Sequence, residues 1–393
     1  MSLRSRRTAR RTAAAATAAL ATAVAALLAP GFSAAGASVA FDGAVGYGAG
    51  ATGGAGGTTY HVTNLDDSGS GSFRDAVSAA HRTVVFDVGG YITLSSAVSV
   101  ASDITIEGDT APGQGIGLRG REVSFSNSSN DIVRYVRFRE GTLDPASGKA
   151  SVALAKASDM IFDHVSVEFA KWDDIDAVGA TDITVQNSVV ADPIGQRFAA
   201  HTEGGPFTWY HDVLANAHNR NPLAKADTQF VGNVVYDYQG GYTAGNSGGT
   251  FLHDVADNAF VAGPVTGTPS NAYYQMAHQS VWNSGNLLDR DADGGLGGSA
   301  LGVGAGATSL DSPWSPTTPS LTAAAGSAQA AYAYDIAQAG DLPRDDVDSQ
   351  VIADVTSLGG SGHLWSSQTE TGLDNDGYGT ITGWGPSPIL GVR

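Results

Sequence analysis

Arg220 stands in the run His218-Asn219-Arg220-Asn221-Pro222-Leu223-Ala224-Lys225. A guanidinium is a cation in water and serves as a base only in an unusual site. Lys225 and Arg197 are cations near it in the chain that could favour its neutral form. His218, two positions earlier, shares the face of Arg220 if this segment is a strand. The plain alternative is an arginine clamping the carboxylate of a neighbouring turn. Upstream, Trp172-Asp173-Asp174-Ile175-Asp176 crowds three carboxylates beside an indole. Clustered carboxylates suit calcium, which takes about 6 to 8 oxygen ligands. The same acids could flank a glycosidic bond for hydrolysis, or form a solvated turn. His201 and Glu203 lie between the two groups and read most simply as turn hydrogen-bonders. Asp289-Arg290-Asp291-Ala292-Asp293-Gly294 begins like an EF-hand loop, yet its twelfth position is Ala300 rather than Glu. Asp374-Asn375-Asp376-Gly377 is a weaker version; either could hold a peripheral calcium, and neither bears on catalysis.

Groups so far apart in sequence need a rigid frame, and the chain has a periodic one. Apolar anchors at positions 104, 132, 160, 183, 207, 228 and 251 recur every 21 to 28 residues. No helical pattern fits between them, which argues against alternating strands and helices. Short strands at this period suit a right-handed parallel β-helix, each turn stacking on the next around an inner column of Val, Ile and Phe. A β-sandwich would repeat faster, about every 8 to 12 residues. The stretch Phe73 to Ala80 reads as a short helix with Ser72 at its N-cap, covering the first turn. After about residue 290 the pattern fades. Ala323 to Ala339 and Asp345 to Val355 read as helices packed on the outside of the solenoid. The expected division is a β-helix over residues 38–290 and a tail over 291–393.

Residues 1–37 read as a secretory signal peptide. Five arginines precede an apolar run to Leu28, and Ala35-Gly36-Ala37 offers a cleavage site. Arg6-Arg7 is only a weak hint of twin-arginine export. Removing this segment leaves 16 basic against 39 acidic residues, a net charge of −23. Nucleic acid is therefore not an expected partner, and no other stretch is long and apolar enough to span a bilayer. An acidic polymer would be repelled at long range unless the site carries local cations or a metal. With no cysteine, a secreted chain must rest on its core alone.

Several stretches carry a resemblance to a known family. Ala40-Phe41-Asp42-Gly43-Ala44-Val45-Gly46-Tyr47-Gly48, Val62 to Ser72, Thr110 to Ile116, and Ile161-Phe162-Asp163-His164-Val165-Ser166 match its motifs, and Arg220-Asn221-Pro222 matches its R-x-P element. Over residues 40–285 the chain resembles the secreted pectate lyases of the parallel β-helix type. The resemblance implies an extracellular, monomeric lyase that cleaves α-1,4-galacturonan, in pectate or pectin, by β-elimination. It assigns Arg220 as the base that removes the C5 proton. Lys225, Arg197, His218 and Trp172 are then candidates for substrate binding. The family's calcium site departs here. Two of its three acidic positions fall on Ala150 and Trp172, and only Asp176 remains, with Asp173 and Asp174 beside it as substitutes. Two further readings stay open. One is a calcium-independent lyase for methylated pectin or another uronate polymer, with Trp172 stacking on a sugar and Lys149 or Arg197 stabilising the enolate. The other is a non-catalytic carbohydrate-binding β-helix.

Overall fold

Phe207–Tyr210, Val213–Ala215 and Leu223–Lys225 are three short strands separated by tight corners, and together they make one turn of a solenoid. The next turn repeats them as Thr228–Val231, Val234–Tyr236 and Tyr242–Ala244, each paired in parallel with its predecessor. The computed structural model describes residues 39–146, 148–245 and 248–382; the proposed signal peptide lies outside them. Stacking of such turns gives three parallel sheets, here called first, second and third in chain order. Asp173–Gln186 runs continuously from the third sheet onto the first. The second sheet holds ten strands. Its last, Ser299–Ala300, is antiparallel to Leu287–Asp289. Ala300, the expected twelfth position of the EF-hand-like run, is thus part of a strand. The fold is a parallel β-solenoid.

Inward-facing apolar side chains of all three sheets form a single continuous core, from Val62 through Phe162, Trp209 and Phe230 to Val281. Polar side chains fix the corners. Asn233 donates to Asn258 at 3.0 Å, and Asn258 donates to Asn286 at 2.8 Å, one turn on each time. Such a ladder satisfies amides that the corner would leave buried and unpaired. The register moves two expected anchors. Asp131, not Ile132, pairs with Met160, and His253, not Phe251, pairs with Thr228. Asp131 is fully buried and accepts hydrogen bonds from Ile104 N and Ser128 Oγ, and burial pushes it up to about 7. His253 is held between Tyr242 Oη and Gln279. Ile132 faces outward instead, beneath Ala44, Ala49 and Ala51. Apolar spacing misplaces these anchors because a satisfied polar group can occupy an inward position.

The segment at residues 45–54 straps across the outside of the first sheet. Val45 N, Gly48 N and Thr52 N donate to Gln186, Thr184 and Asn130 at 3.0, 2.9 and 2.7 Å. Gly48 is required there, since a Cβ would lie 1.9 Å from Met160 O. The strap meets the tail where Tyr47 stacks on Trp314 and its hydroxyl donates to Ser315 at 2.9 Å.

The N-terminal helix spans Phe73–Ala76, shorter than expected, and Ser72 Oγ accepts from Asp75 N at its start. It buries Phe73, Ala76 and Val77 in the core beside the first strand. The Ala-rich tail is two helices, Thr318–Ala325 and Ala328–Gln338, because Gly326 turns the chain at φ 79° and Ser327 caps a new start. With Asp346–Thr356 they cover the outer face of the second sheet. Ala328, Tyr332, Val351 and Val355 pack on Val189, Val213, Val234 and Tyr236. Two buried arginines bind the tail to that sheet. Arg137 meets Asp341 at 2.7 Å and Asp348 at 2.9 Å. Arg139 meets Glu168 at 2.9 Å, Asp348 at 3.1 Å, and Asp345. Among the described residues no helix is long and apolar enough to cross a membrane.

Candidate active site

The outer face of the third sheet is the one that gathers the sequence-derived candidates. Parallel in-register pairing stacks like positions from turn to turn. Asp173 pairs with Phe198, Asp176 with His201, and His201 with Leu223. The neighbouring column runs Val178, Glu203, Lys225. Groups 22 to 25 residues apart thereby become neighbours. His201 Nδ1 lies 3.7 Å from Asp176 and its Nε2 lies 3.4 Å from Glu203. Lys225 Nζ lies 3.4 Å from the same Glu203 carboxylate.

Arg220 enters this face from the loop before Leu223–Lys225, with its backbone in the left-handed region at φ 61°. Its carbonyl accepts from Ala200 N at 2.9 Å, which pins the loop to the adjacent strand. The guanidinium lies 3.9 Å from the Phe198 ring centre and 5.5 Å from that of Trp172. Nη1 donates to both Asp173 oxygens, at 2.8 and 3.1 Å. Among the described residues, Nε and Nη2 have no protein partner, and the side chain keeps 19% exposure. The site therefore offers an oriented arginine, wedged between a carboxylate and an aromatic face, with donors aimed at the groove.

Burial and neighbouring charges set the protonation of this cluster. Burial drives Asp173 up to about 7 despite the pull of Arg220. Asp176 is raised as well, chiefly by burial. His201 is pushed down to about 4 by burial, with the Arg220 and Lys225 charges adding to it, so it is neutral at pH 7. Asp176 Oδ1 and His201 Nε2 are buried without a hydrogen-bond partner. Ligand atoms of Asp173, Asp176 and His201 fall within 4.8 Å of one another. Orphaned acceptors converging on one point are what a cation needs, and this donor set fits one.

The other candidates are placed differently. Asp174 is left out of this cluster; it is fully buried and accepts from Ala170 N at 2.9 Å. Burial beside Glu168 and Asp192 holds it well above the usual carboxylate range. Arg197 spends its guanidinium on the tail, donating to Trp365 O at 3.0 Å and Ser366 Oγ at 2.6 Å. His218 lies outside any strand, so the same-face argument does not apply to it. It lines a hollow of about 250 Å³ with Gln239, Asn271 and Tyr274. Lys149 lies 3.7 Å from Glu122, and Ala150 is buried. Sequence reasoning missed Phe198 as the platform under Arg220 and undervalued His201. Both sit one turn after a flagged aspartate, so the repeat length was the available signal.

No family model matches the chain. Among curated proteins, it is 40% identical over 365 residues to the probable pectate lyase C of Aspergillus fumigatus, covering 89% of this chain and 84% of that one. The probable pectate lyase C of Emericella nidulans is 39% identical over 360 residues, covering 88% and 82%. Among solved structures, the pectate lyase from Acidovorax avenae subsp. citrulli superposes with a TM-score of 0.52 at 14% identity, covering 72% of this chain and 93% of that one. A pectate lyase studied for substrate specificity and an anti β-elimination mechanism gives 0.55 at 14% identity, covering 75% and 96%. The solved structures share the solenoid, and the curated relatives share both its length and two residues in five. The chain belongs to the pectate lyase family.

Proposed function

We propose that the protein is an extracellular polysaccharide lyase that cleaves α-1,4-galacturonan by β-elimination, with Arg220 as the base. The observation that carries this reading is an arginine with free donors beside a convergent Asp173, Asp176 and His201 cluster on an open face. In the reaction the C5 proton passes to the neutral guanidine, the C4–O bond breaks and a C4–C5 double bond forms. The leaving oxygen takes a proton from solvent, and no water is added across the bond. Nη1 is engaged by both Asp173 oxygens, so this contact must loosen before that nitrogen can meet the C5 proton. Asp173 and Asp176 would hold calcium through their carboxylate oxygens, and it would when bound supply positive charge for the uronate carboxylate and compete with Arg220 for Asp173. Lys225 sits one column away and contributes a further cation to an anionic chain. The edge-to-face pair of Phe198 and Trp172 beside Arg220 favours a second reading, a calcium-independent lyase for methylated pectin, since aromatic side chains suit uncharged rings.

The test is a lyase assay on polygalacturonate and on highly methylated pectin, each with and without a chelator, read as ultraviolet-absorbing unsaturated ends. Calcium-dependent cleavage of polygalacturonate is the expected result. Cleavage of methylated pectin untouched by chelation would install the second reading, and no product on either polymer would overturn both.

A further inference from the structure

A second cleft opens at the corner between the first and second sheets, and it shares no residue with the Arg220 cluster. Its volume is about 520 Å³, within the range of small-molecule sites. The floor is a column of corner residues, Tyr135, His164, Asn187 and His211, all in the left-handed conformation on successive turns. Four turns at strand spacing span about 14 Å, the length of a short oligosaccharide. One wall is the Phe41–Gly43 segment, and the other comes from the tail helices at Ala325 and Tyr334.

The lining is aromatic. Tyr135 and His164 stack with ring centres 4.7 Å apart and planes 13° apart. His211 is packed between Tyr210 and Tyr334, at 4.3 and 4.4 Å. Tyr334 keeps 42% exposure, so part of a large ring stands open at the rim of the cleft. Burial pushes the Tyr135 and Tyr210 hydroxyls up to about 12, which keeps both as donors. The charges inside are already balanced or negative. Arg134 is taken up by Asp163 at 3.1 Å, with Glu107 at 3.7 Å, and it lies over the Phe41 ring at 4.1 Å. Asp163 is saturated by Gln186 and Asn187 amides at 2.9 Å each. His211 is paired with buried Asp335 at 2.7 Å and is neutral at pH 7. No free cation faces the cleft among the described residues, so an anionic uronate chain has no counter-charge there.

We propose that this cleft binds a neutral saccharide, one pyranose ring packed on the exposed part of the Tyr334 ring and the next one or two laid along the corner column against the edges of the stacked Tyr135 and His164 rings. Aromatic faces take the C–H side of a sugar ring, and phenol and amide groups between them take its hydroxyls. The site would anchor the protein to uncharged polymer, and it stands whether or not Arg220 is the base.

The experiment titrates the full-length mature chain with cellotetraose, galactotetraose and trigalacturonate, each followed by ligand-observed NMR. At least one neutral tetrasaccharide should bind, with a Kd near ~1 mM, and Tyr334→Ala should weaken it by at least ~10-fold. A second substitution, Tyr135→Leu, should weaken it likewise, while both variants keep wild-type cleavage of polygalacturonate. Failure of both neutral probes overturns the proposal. So does neutral-sugar binding that survives both substitutions, or trigalacturonate binding lost with Tyr334.

Discussion

Arg220 and the pair Arg137 and Arg139 are arginines held by aspartates on the same solenoid, and they are held differently. Arg137 and Arg139 are wholly buried, and each meets several carboxylates from the tail. Arg137 also donates to the carbonyls of Gln114, Asp341 and Pro343. Every donor is spoken for, so these two are clamps. Arg220 has one carboxylate partner, reached through one nitrogen, and an aromatic floor in place of further acceptors. A saturated arginine holds two parts of a protein together; an arginine with donors to spare is set to meet something else. The difference lies in the count of partners rather than in charge or sequence context.

Three substitutions can break that comparison. Arg220→Ala should lower kcat/KM on polygalacturonate by about 10² to 10⁴-fold. Its cost in stability should be smaller than that of Arg137→Leu, because the carboxylate left behind is already raised by burial and can take a proton once Arg220 is gone. Thermal unfolding measured beside kinetics separates the two effects, and full activity would remove Arg220 from its proposed role. Arg137→Leu should do the reverse. Breaking a buried ion pair costs about 3 to 5 kcal/mol, read as a lower unfolding midpoint, while folded protein keeps its kcat. An unchanged midpoint would mean that the tail is held by its apolar face alone. Arg197→Ala should be the mildest. Losing two hydrogen bonds to the 365–366 segment costs about 1 to 2 kcal/mol, and kcat/KM should stay within about threefold of wild type. A loss near that of Arg220→Ala would return Arg197 to the substrate.

The fold was legible because inward positions are mostly Val, Ile and Phe at a steady interval. It was misread where Asp131 and His253 take inward places, since a buried polar group with partners looks like a corner residue in sequence. Arg220 was legible from its motif, and Asp173 and Asp176 from their clustering. Asp174 illustrates what spacing alone misses: strict alternation would group it with Asp176 and exclude Asp173, yet Asp173 is the one that joins Asp176, because the strand starts at a corner of the solenoid where alternation does not hold. His201 and Phe198 needed the turn length to within one residue, and turns here vary from 20 to 31 residues. The clamps at Arg137 and Arg139 left no local sign, because their partners in the tail lie 204 to 211 positions away.

The strap over the first sheet bears on the order in which this chain can assemble. Residues 45–48 dock on turns that are synthesised about 140 to 160 positions later, such as Thr184 and Thr208. A stretch made early is therefore among the last to find its place. It then meets residues 314 and 315, so a belt made from both ends closes around the middle of the stack. An open solenoid can fray turn by turn from either end. Here the strap and the start of the tail are joined over the middle turns, and loosening one should release the other.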